Sequence, residues 1–215
     1  MNIVKENIIL KGRVFTLTNQ RAVFWKEQEA LILSDIHIGK TAHFRKHGIA
    51  ISSEILQTDL NRLRHLIQYF STKKVLVVGD LFHAESNSDV ETFKVWLSQF
   101  LDIEWILIQG NHDRKSSHLM NELNICVVPK LTIDSYTFIH EDLEGYDNVF
   151  TISGHTHPGV IIRGKGKQKL KLPCYQITSQ QLILPAFSLF TGLNTRNVPE
   201  DVDYYAFTDK AIFKL

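Results

Sequence analysis

Val75-Leu76-Val77-Val78-Gly79-Asp80 and Trp105-Ile106-Leu107-Ile108-Gln109-Gly110-Asn111-His112-Asp113 share one layout: a continuous apolar run, then a glycine, after Gln109 in the second, then polar side chains. Four apolar residues in a row, rich in β-branched types, suit a strand buried on both faces. Between the two runs, Val90, Phe93, Leu97 and Phe100 recur at helical spacing. Upstream, Ala30-Leu31-Ile32-Leu33 is a third such run, ending at Asp35-Ile36-His37. Leu56, Leu60, Leu63, Ile67 and Phe70, at intervals of 4, 3, 4 and 3, predict a helix across 52–70 with Ser52 or Ser53 as its cap. Strand, helix, strand, helix, strand in this order predicts neighbouring parallel strands joined by right-handed crossovers.

Outward from this unit the pattern changes. Residues 7–36 begin with short β-like runs at Ile8–Leu10, Val14–Leu17 and Ala22–Trp25. After about residue 125 the helical period disappears. Short runs follow at Cys126–Val128, Tyr136–Ile139, Phe150–Ser153, Val160–Ile162, Leu170–Leu172, Gln181–Leu184 and Tyr204–Phe207. Strands at both ends with α/β units between them predict two sheets packed together and flanked by helices. No repeat, linker or low-complexity tract divides residues 1–215, which read as a single domain.

Composition narrows the class. With 44% hydrophobic and 22% charged residues, a packed globular core is expected. The net charge of +1 imposes no global attraction to nucleic acid, so partners must be read from local sites. Cys126 and Cys174 lack the spacing of a disulfide framework or zinc knuckle. The first residues lack the pattern of a secretory signal, and no apolar run reaches the ~20 residues of a membrane span. The cytoplasm, without membrane attachment, is the expected location.

Five polar clusters stand at the ends of apolar runs: Asp35-Ile36-His37, Gly79-Asp80, Gly110-Asn111-His112-Asp113, His140, and Gly154-His155-Thr156-His157. Ligands of open α/β sheets bind at the carboxyl ends of strands, so these clusters are expected to converge. Within Asp35/His37 and His155/His157, a spacing of two lets both side chains point the same way from an extended backbone. Gly79, Gly110 and Gly154 would permit the sharp exits. Any one cluster alone is as readily a plain turn. All five in this order, each behind an apolar run, argue for a site.

The donors are two carboxylates, four imidazoles and an amide, with no thiolate, a mixture that favours Mn²⁺, Fe or Zn²⁺ in a non-sulfur site. Seven donors exceed the needs of one catalytic ion with an open position, and suit two divalent ions sharing a carboxylate, ~3.5–4 Å apart. Two such ions would exceed the charge of Asp35, Asp80 and a hydroxide by about one unit, a surplus that attracts phosphate.

This ordered set resembles the calcineurin-like metallophosphoesterases, whose motifs are Asp-x-His, Gly-Asp, Gly-Asn-His-Asp/Glu, a later His and Gly-His-x-His. The match spans residues 33–157. The resemblance implies an α/β (α+β) four-layer sandwich of two facing mixed β-sheets flanked by helices. It implies that Asp35, His37 and His157 bind one metal ion, that Asn111, His140 and His155 bind the other, and that Asp80 bridges them. One departure is Glu141 after His140, where glycine is usual. His83 falls where the second motif places a variable polar residue, near substrate. A hydroxide between the ions would attack phosphorus in line with the leaving oxygen. His112, beside a ligand yet surplus to coordination, is expected to protonate that oxygen, with Asp113 orienting its ring, a role worth ~10²–10⁴ in rate.

Lys40, Arg45 and Lys46 lie just after the first cluster, placed to hold flanking phosphates, while Phe44 either stacks on a base or packs inward. Arg163, Lys165, Lys167, Lys169 and Lys171 would share one face of a hairpin, either a nucleic-acid track or a solvated edge. The strings Asp35-Ile36-His37-Ile38-Gly39-Lys40, Phe44-Arg45-Lys46-His47-Gly48, Gly79-Asp80-Leu81-Phe82-His83 and Pro185-Ala186-Phe187-Ser188-Leu189-Phe190-Thr191-Gly192 are similar to one branch of that superfamily, the bacterial ligase-associated DNA damage response endonucleases, over roughly residues 30–195. Leu193-Asn194 departs from a further glycine in that branch. The similarity implies a Mn²⁺-dependent phosphodiesterase that cleaves DNA in repair, functionally associated with a DNA ligase and a helicase. A small-nucleotide phosphatase or phosphodiesterase would use the same metals without an extended cationic track. A non-catalytic interaction module of the same fold would have lost ligands, and none of the set is missing.

Overall fold

Alternation of buried side chains sorts the strands between two cores. A computed structural model describes residues 1–83, 87–141, 149–196, 199 and 201–215, without the side chain of Ser117. In the strand Ala30–Leu33, Ala30 and Ile32 join one hydrophobic core while Leu31 and Leu33 join another. A strand buried on both faces is what an unbroken apolar run specifies.

The first sheet runs, in spatial order, β1 (Lys5–Leu10), β2 (Arg13–Thr18), β3 (Val23–Trp25), β4 (Ala30–Leu33), β5 (Lys74–Val78), β6 (Glu104–Ile108) and β7 (Cys126–Val128). It is mixed: β1 to β4 pair antiparallel as hairpins, and β4 to β7 pair parallel. Its outer face carries α2 (Glu54–Phe70), α3 (Ser88–Leu97) and α4 (Ser117–Glu122), with the short α1 (Lys40–Lys46) against α3. Leu60, Leu63 and Ile67 of α2 and Val90, Phe93 and Trp96 of α3 pack on Leu31, Leu33, Val75, Val77 and Leu107. The cap of α2 differs from expectation. Ser53 makes no side-chain cap, and the Ser52 hydroxyl instead accepts the Glu54 N–H at 3.2 Å.

The second sheet contains β8 (Leu131–Ile133), β9 (Tyr136–Phe138), β10 (Phe150–Ser153), β11 (Gly159–Arg163), β12 (Lys169–Ile177), β13 (Gln181–Ile183), β14 (Asp203–Phe207) and β15 (Ile212–Lys214). Here β10 pairs parallel with β9 and β13, and the other pairings are antiparallel. The inner faces of the two sheets enclose Phe15, Trp25, Ile32, Leu76 and Ile106 against Tyr136, Phe138, Ile152, Tyr175 and Leu182. Two buried tyrosines fasten the sheets. Tyr136 donates to the Leu10 carbonyl at 2.6 Å, and Tyr175 lies 2.7 Å from the Thr18 carbonyl and 2.9 Å from that of Ala22. A smaller cluster of Leu172, Cys174 and Ala206 lies beneath Val160 and Ile162 of the β11–β12 hairpin. No described helix is long and apolar enough to cross a membrane.

Candidate metal centre

β4, β5, β6, β9 and β10 each end within two residues of one of the five polar clusters, so parallel strands in both sheets deliver them to a common edge. Short backbone ladders continue past the strand ends. Asp35 N–H donates to the Gly79 carbonyl at 3.0 Å, His37 N–H to that of Asp80 at 2.9 Å, and Gly154 N–H to that of His140 at 3.1 Å.

Two donor sets result. Asp35, His37 and His157 place one ligand atom each within 4.8 Å of one another, and Asp80, His140 and His155 do the same. In the first, Asp35 Oδ1 lies 3.1 Å from His157 Nε2 and 3.9 Å from His37 Nε2. In the second, Asp80 Oδ2 lies 3.3 Å from His140 Nε2. Asn111 turns its amide nitrogen to Glu141 Oε2 at 3.2 Å, which leaves its carbonyl oxygen as the available donor. Each set draws on both sheets.

The surroundings orient these groups. Asp35 Oδ2 lies 2.5 Å from the Ser34 hydroxyl and accepts the His155 N–H at 3.1 Å, while His140 Nδ1 is held 2.9 Å from the Val78 carbonyl. What remains is a group of buried atoms that no hydrogen bond satisfies: both ring nitrogens of His37, and Asp35 Oδ1 and His140 Nε2, which have only the imidazole–carboxylate contacts just given. Buried polar atoms are seldom left so. Oxygen and nitrogen donors converging this way fit a pair of divalent ions.

Charge states follow from the same contacts. Burial opposes ionisation of Asp35 and Asp80, yet the imidazoles outweigh it: His157 foremost for Asp35 and His140 foremost for Asp80. Both carboxyls are held below the usual range. Burial pushes His37 down to about 3. It would lower His140 too, but contact with Asp80 and the charge of Asp35 raise that imidazole to about 9. Burial, with the neighbouring charges of His112, Lys40 and His43, lowers His83 to about 4. Lys40 is lowered by burial against the pull of Asp35 and Asp80. His112 is half-exposed, with its Nε2 4.0 Å from Asp80 Oδ2 and its ring centroid 4.8 Å from that of His83 and 5.5 Å from that of His37.

Three expectations change. Asp113 does not orient His112. Its carboxylate accepts the N–H groups of Asp80 and Gly110, each at 2.8 Å, and of Phe82 at 3.0 Å, and burial raises it to about 6. Arg45, expected to hold a substrate phosphate, is paired within the protein, its Nη2 bound to Asp89 Oδ1 at 2.7 Å, and Phe44 packs edge-on against Phe190. The ligand pairs do not converge off an extended backbone: Asp35, His37, His155 and His157 all adopt positive φ. Of the three motif glycines, Gly79 combines positive φ with close approach to the His140 ring. At Gly110 a Cβ would collide with Asp80, and at Gly154 with Ser34.

Sequence reasoning missed Ser34, and it missed Arg21 and Arg62. The two arginines grip the carbonyls of Ala186, Ser188 and Phe187 from behind. The strand-like segment so held donates Phe187 N–H to Ser34 at 2.7 Å and Ser188 N–H to the Asp35 carbonyl at 3.2 Å. The Pro185–Gly192 string was the only visible trace of this support.

The Pseudomonas putida nuclease MPE has a similar structure, with a TM-score of 0.84 and 27% identity over 99% of this chain and 100% of its own. Yfce, a phosphoesterase from E. coli, aligns with a TM-score of 0.46 and 16% identity over 86% of this chain and 97% of its own. No curated protein matches the sequence. The calcineurin-like phosphoesterase family model matches residues 30–171, from β4 into β12, a span that includes every strand end bearing a candidate ligand. With both donor sets inside that span, the chain belongs to the calcineurin-like phosphoesterases.

Proposed function

We propose that this phosphoesterase is a dinuclear, Mn²⁺-dependent phosphodiesterase that cleaves DNA. The observation that carries the reading is the pair of three-residue donor sets with buried atoms that no hydrogen bond satisfies. The end-to-end likeness to a nuclease supports nucleic acid as the substrate class. Asp35, His37 and His157 would hold one ion, and Asn111, His140 and His155 the other, with Asp80 between them. Bound divalent ions acidify water towards neutral pH and neutralise charge on a phosphoryl group.

The chain's own residues do the rest. Asp80 Oδ1 accepts the His112 N–H at 3.0 Å, which fixes the His112 backbone beside the centre while its half-exposed ring stays free to meet a substrate. His112 passes a proton from its ring to the departing oxygen. His83, held neutral, lies beside that ring and adds no repelling charge. Lys40 supplies a cation near Asp35 and Asp80 for the non-bridging phosphate oxygens. The similarity to the ligase-associated endonucleases supports a place in DNA repair alongside a ligase and a helicase. The free thiols of Cys126 and Cys174 fit a cytoplasmic setting, and residues 1–215 are read as one domain.

The test incubates metal-stripped protein with Mn²⁺, Mg²⁺ or Zn²⁺ and offers supercoiled plasmid, single-stranded DNA and a panel of nucleotides, beside Asp80→Asn and His112→Ala. We expect Mn²⁺-dependent DNA cleavage, abolished in the first variant and slowed ~10²–10⁴-fold in the second. A nucleotide hydrolysed orders of magnitude faster than any DNA would overturn the nuclease reading.

A further inference from the structure

Beside the second donor set, where the chain passes from one sheet to the other, lies a cavity of about 420 Å³. Pockets that hold ligands typically span ~300–1,000 Å³. Asn111 and the buried His140 line it together with Arg114 and Lys130. Arg114 follows Asp113 directly, in the turn whose start is clamped by the three N–H groups on the Asp113 carboxylate. Lys130 follows Pro129 in the two-residue link between β7 and β8. The Gln109 N–H donates to the Val128 carbonyl at 2.9 Å and ties these two segments together.

Charge is distributed unevenly around this space. Arg114 and Lys130 are exposed, and among the described residues neither side chain makes an ion pair or a hydrogen bond. Glu141, the one acid among the described lining residues, is already engaged, with His155 Nε2 at 3.6 Å and the Asn111 amide at 3.2 Å. Two free cations therefore border a cavity that candidate metal ligands also line. Arg45, by contrast, is paired with Asp89.

From this asymmetry we infer that the cavity is the track for the nucleic-acid strand flanking the reacting phosphate. Arg114 and Lys130 each contact a neighbouring phosphate of single-stranded DNA. The inference rests on the reading of the protein as a DNA phosphodiesterase and adds where the strand runs. A small nucleotide has no second phosphodiester to place there, so these cations would favour polymers over monomers.

The experiment measures binding of a fluorescent single-stranded DNA oligonucleotide by anisotropy in EDTA across a salt series, so that turnover plays no part. We expect Arg114→Ala/Lys130→Ala to bind about tenfold or more weakly at low salt, and the slope of log K against log salt to shrink by about one to two units, near one per lost phosphate contact. Arg114→Lys/Lys130→Arg should recover most of both. Lys11→Ala, in the β1–β2 turn at the far edge of the first sheet, serves as the control and should match wild type. The Mn²⁺-induced rise in Tm of the double alanine variant should equal that of wild type. A changed rise would assign the defect to the metal centre and overturn the inference. Wild-type affinity and slope in the double variant would overturn the track while leaving the nuclease reading intact. No DNA binding by wild type would sink both.

Discussion

Asp35, His37, Asp80, His155 and His157 hold left-handed backbone conformations, with φ between 51° and 65°. Outside glycine such positions cost of order 1–3 kcal/mol each and persist only where neighbours over-determine them. The Asp113 carboxylate is one of those neighbours, since it binds the N–H groups of Asp80 and Phe82 and shapes the turn around Gly110. Asp113→Ala would leave three buried donors unsatisfied, each a loss of ~1–3 kcal/mol if independent. We expect a combined loss of about 3–5 kcal/mol in urea unfolding, with Asp113→Asn intermediate because one amide oxygen can still accept. Stability within about 0.5 kcal/mol of wild type together with a collapse of turnover would return Asp113 to the role of orienting His112. Sequence shows an acid beside a histidine, which invites the orienting role. Two of the three backbone groups it serves lie 31 and 33 residues earlier, and no local pattern points to them.

At the scale of elements, α1 is built onto α3. Asp89 accepts from the Thr41 hydroxyl at 2.5 Å, the Ala42 N–H at 2.8 Å and Arg45 at 2.7 Å. Asn87 caps α3 by accepting from the N–H groups of Asp89 and Val90, and its amide donates to the Gly39 carbonyl at 2.9 Å. This joint sets where Lys40 and His43 enter the site. Removing one partner of a buried charge pair costs ~3–5 kcal/mol, less where water reaches it. Asp89→Ala, which also strands the Thr41 and Ala42 donors, should lose about 3 kcal/mol, and Arg45→Ala about 2 kcal/mol. Chemical denaturation reads both. Neither should alter the salt slope of DNA binding, and a slope reduced by about one in Arg45→Ala would restore Arg45 to the substrate. Elements with a clear period or a long apolar run, such as α2, α3, β4, β5 and β6, were legible in the sequence. α1 was not, because Lys40–Lys46 lacks an apolar stripe and is held by a carboxylate 44 residues from Arg45. β8 and β15 were missed because each is a three-residue strand at an edge of the second sheet, specified by its single pairing partner.

Across the whole molecule, each donor set takes side chains from both sheets, so bound ions would fasten the two halves of the sandwich beyond the inter-sheet core and the tyrosine contacts. A ligand that binds only the folded form stabilises it by RT ln(1 + [L]/Kd), so each tenfold rise of Mn²⁺ above saturation adds about 1.4 kcal/mol per site. In a chain this size that is roughly 3–6 °C in Tm per site. The gain must depend on pH, because a ligand imidazole has to be neutral. Without ions, His140 keeps its proton up to about 9 through Asp80 and Asp35, above the ~6.5 of an unfolded histidine. Its contribution to metal-free stability is therefore complete below pH ~6.5 and disappears as the pH climbs through about 9. Ion binding must displace that proton, so apparent affinity at the second set rises about tenfold per pH unit until the same limit. The Mn²⁺-induced shift in Tm should thus be small at pH 6 and grow steadily to pH 9. His155→Ala, which removes a donor of the second set alone, should flatten that dependence, whereas His157→Ala should lower the shift and keep the slope. Scanning calorimetry over Mn²⁺ concentration and pH decides the matter. A Tm indifferent to a hundredfold increase in Mn²⁺, or a shift of equal size at pH 6 and pH 9, would mean that the ions do not bridge the sheets through these histidines.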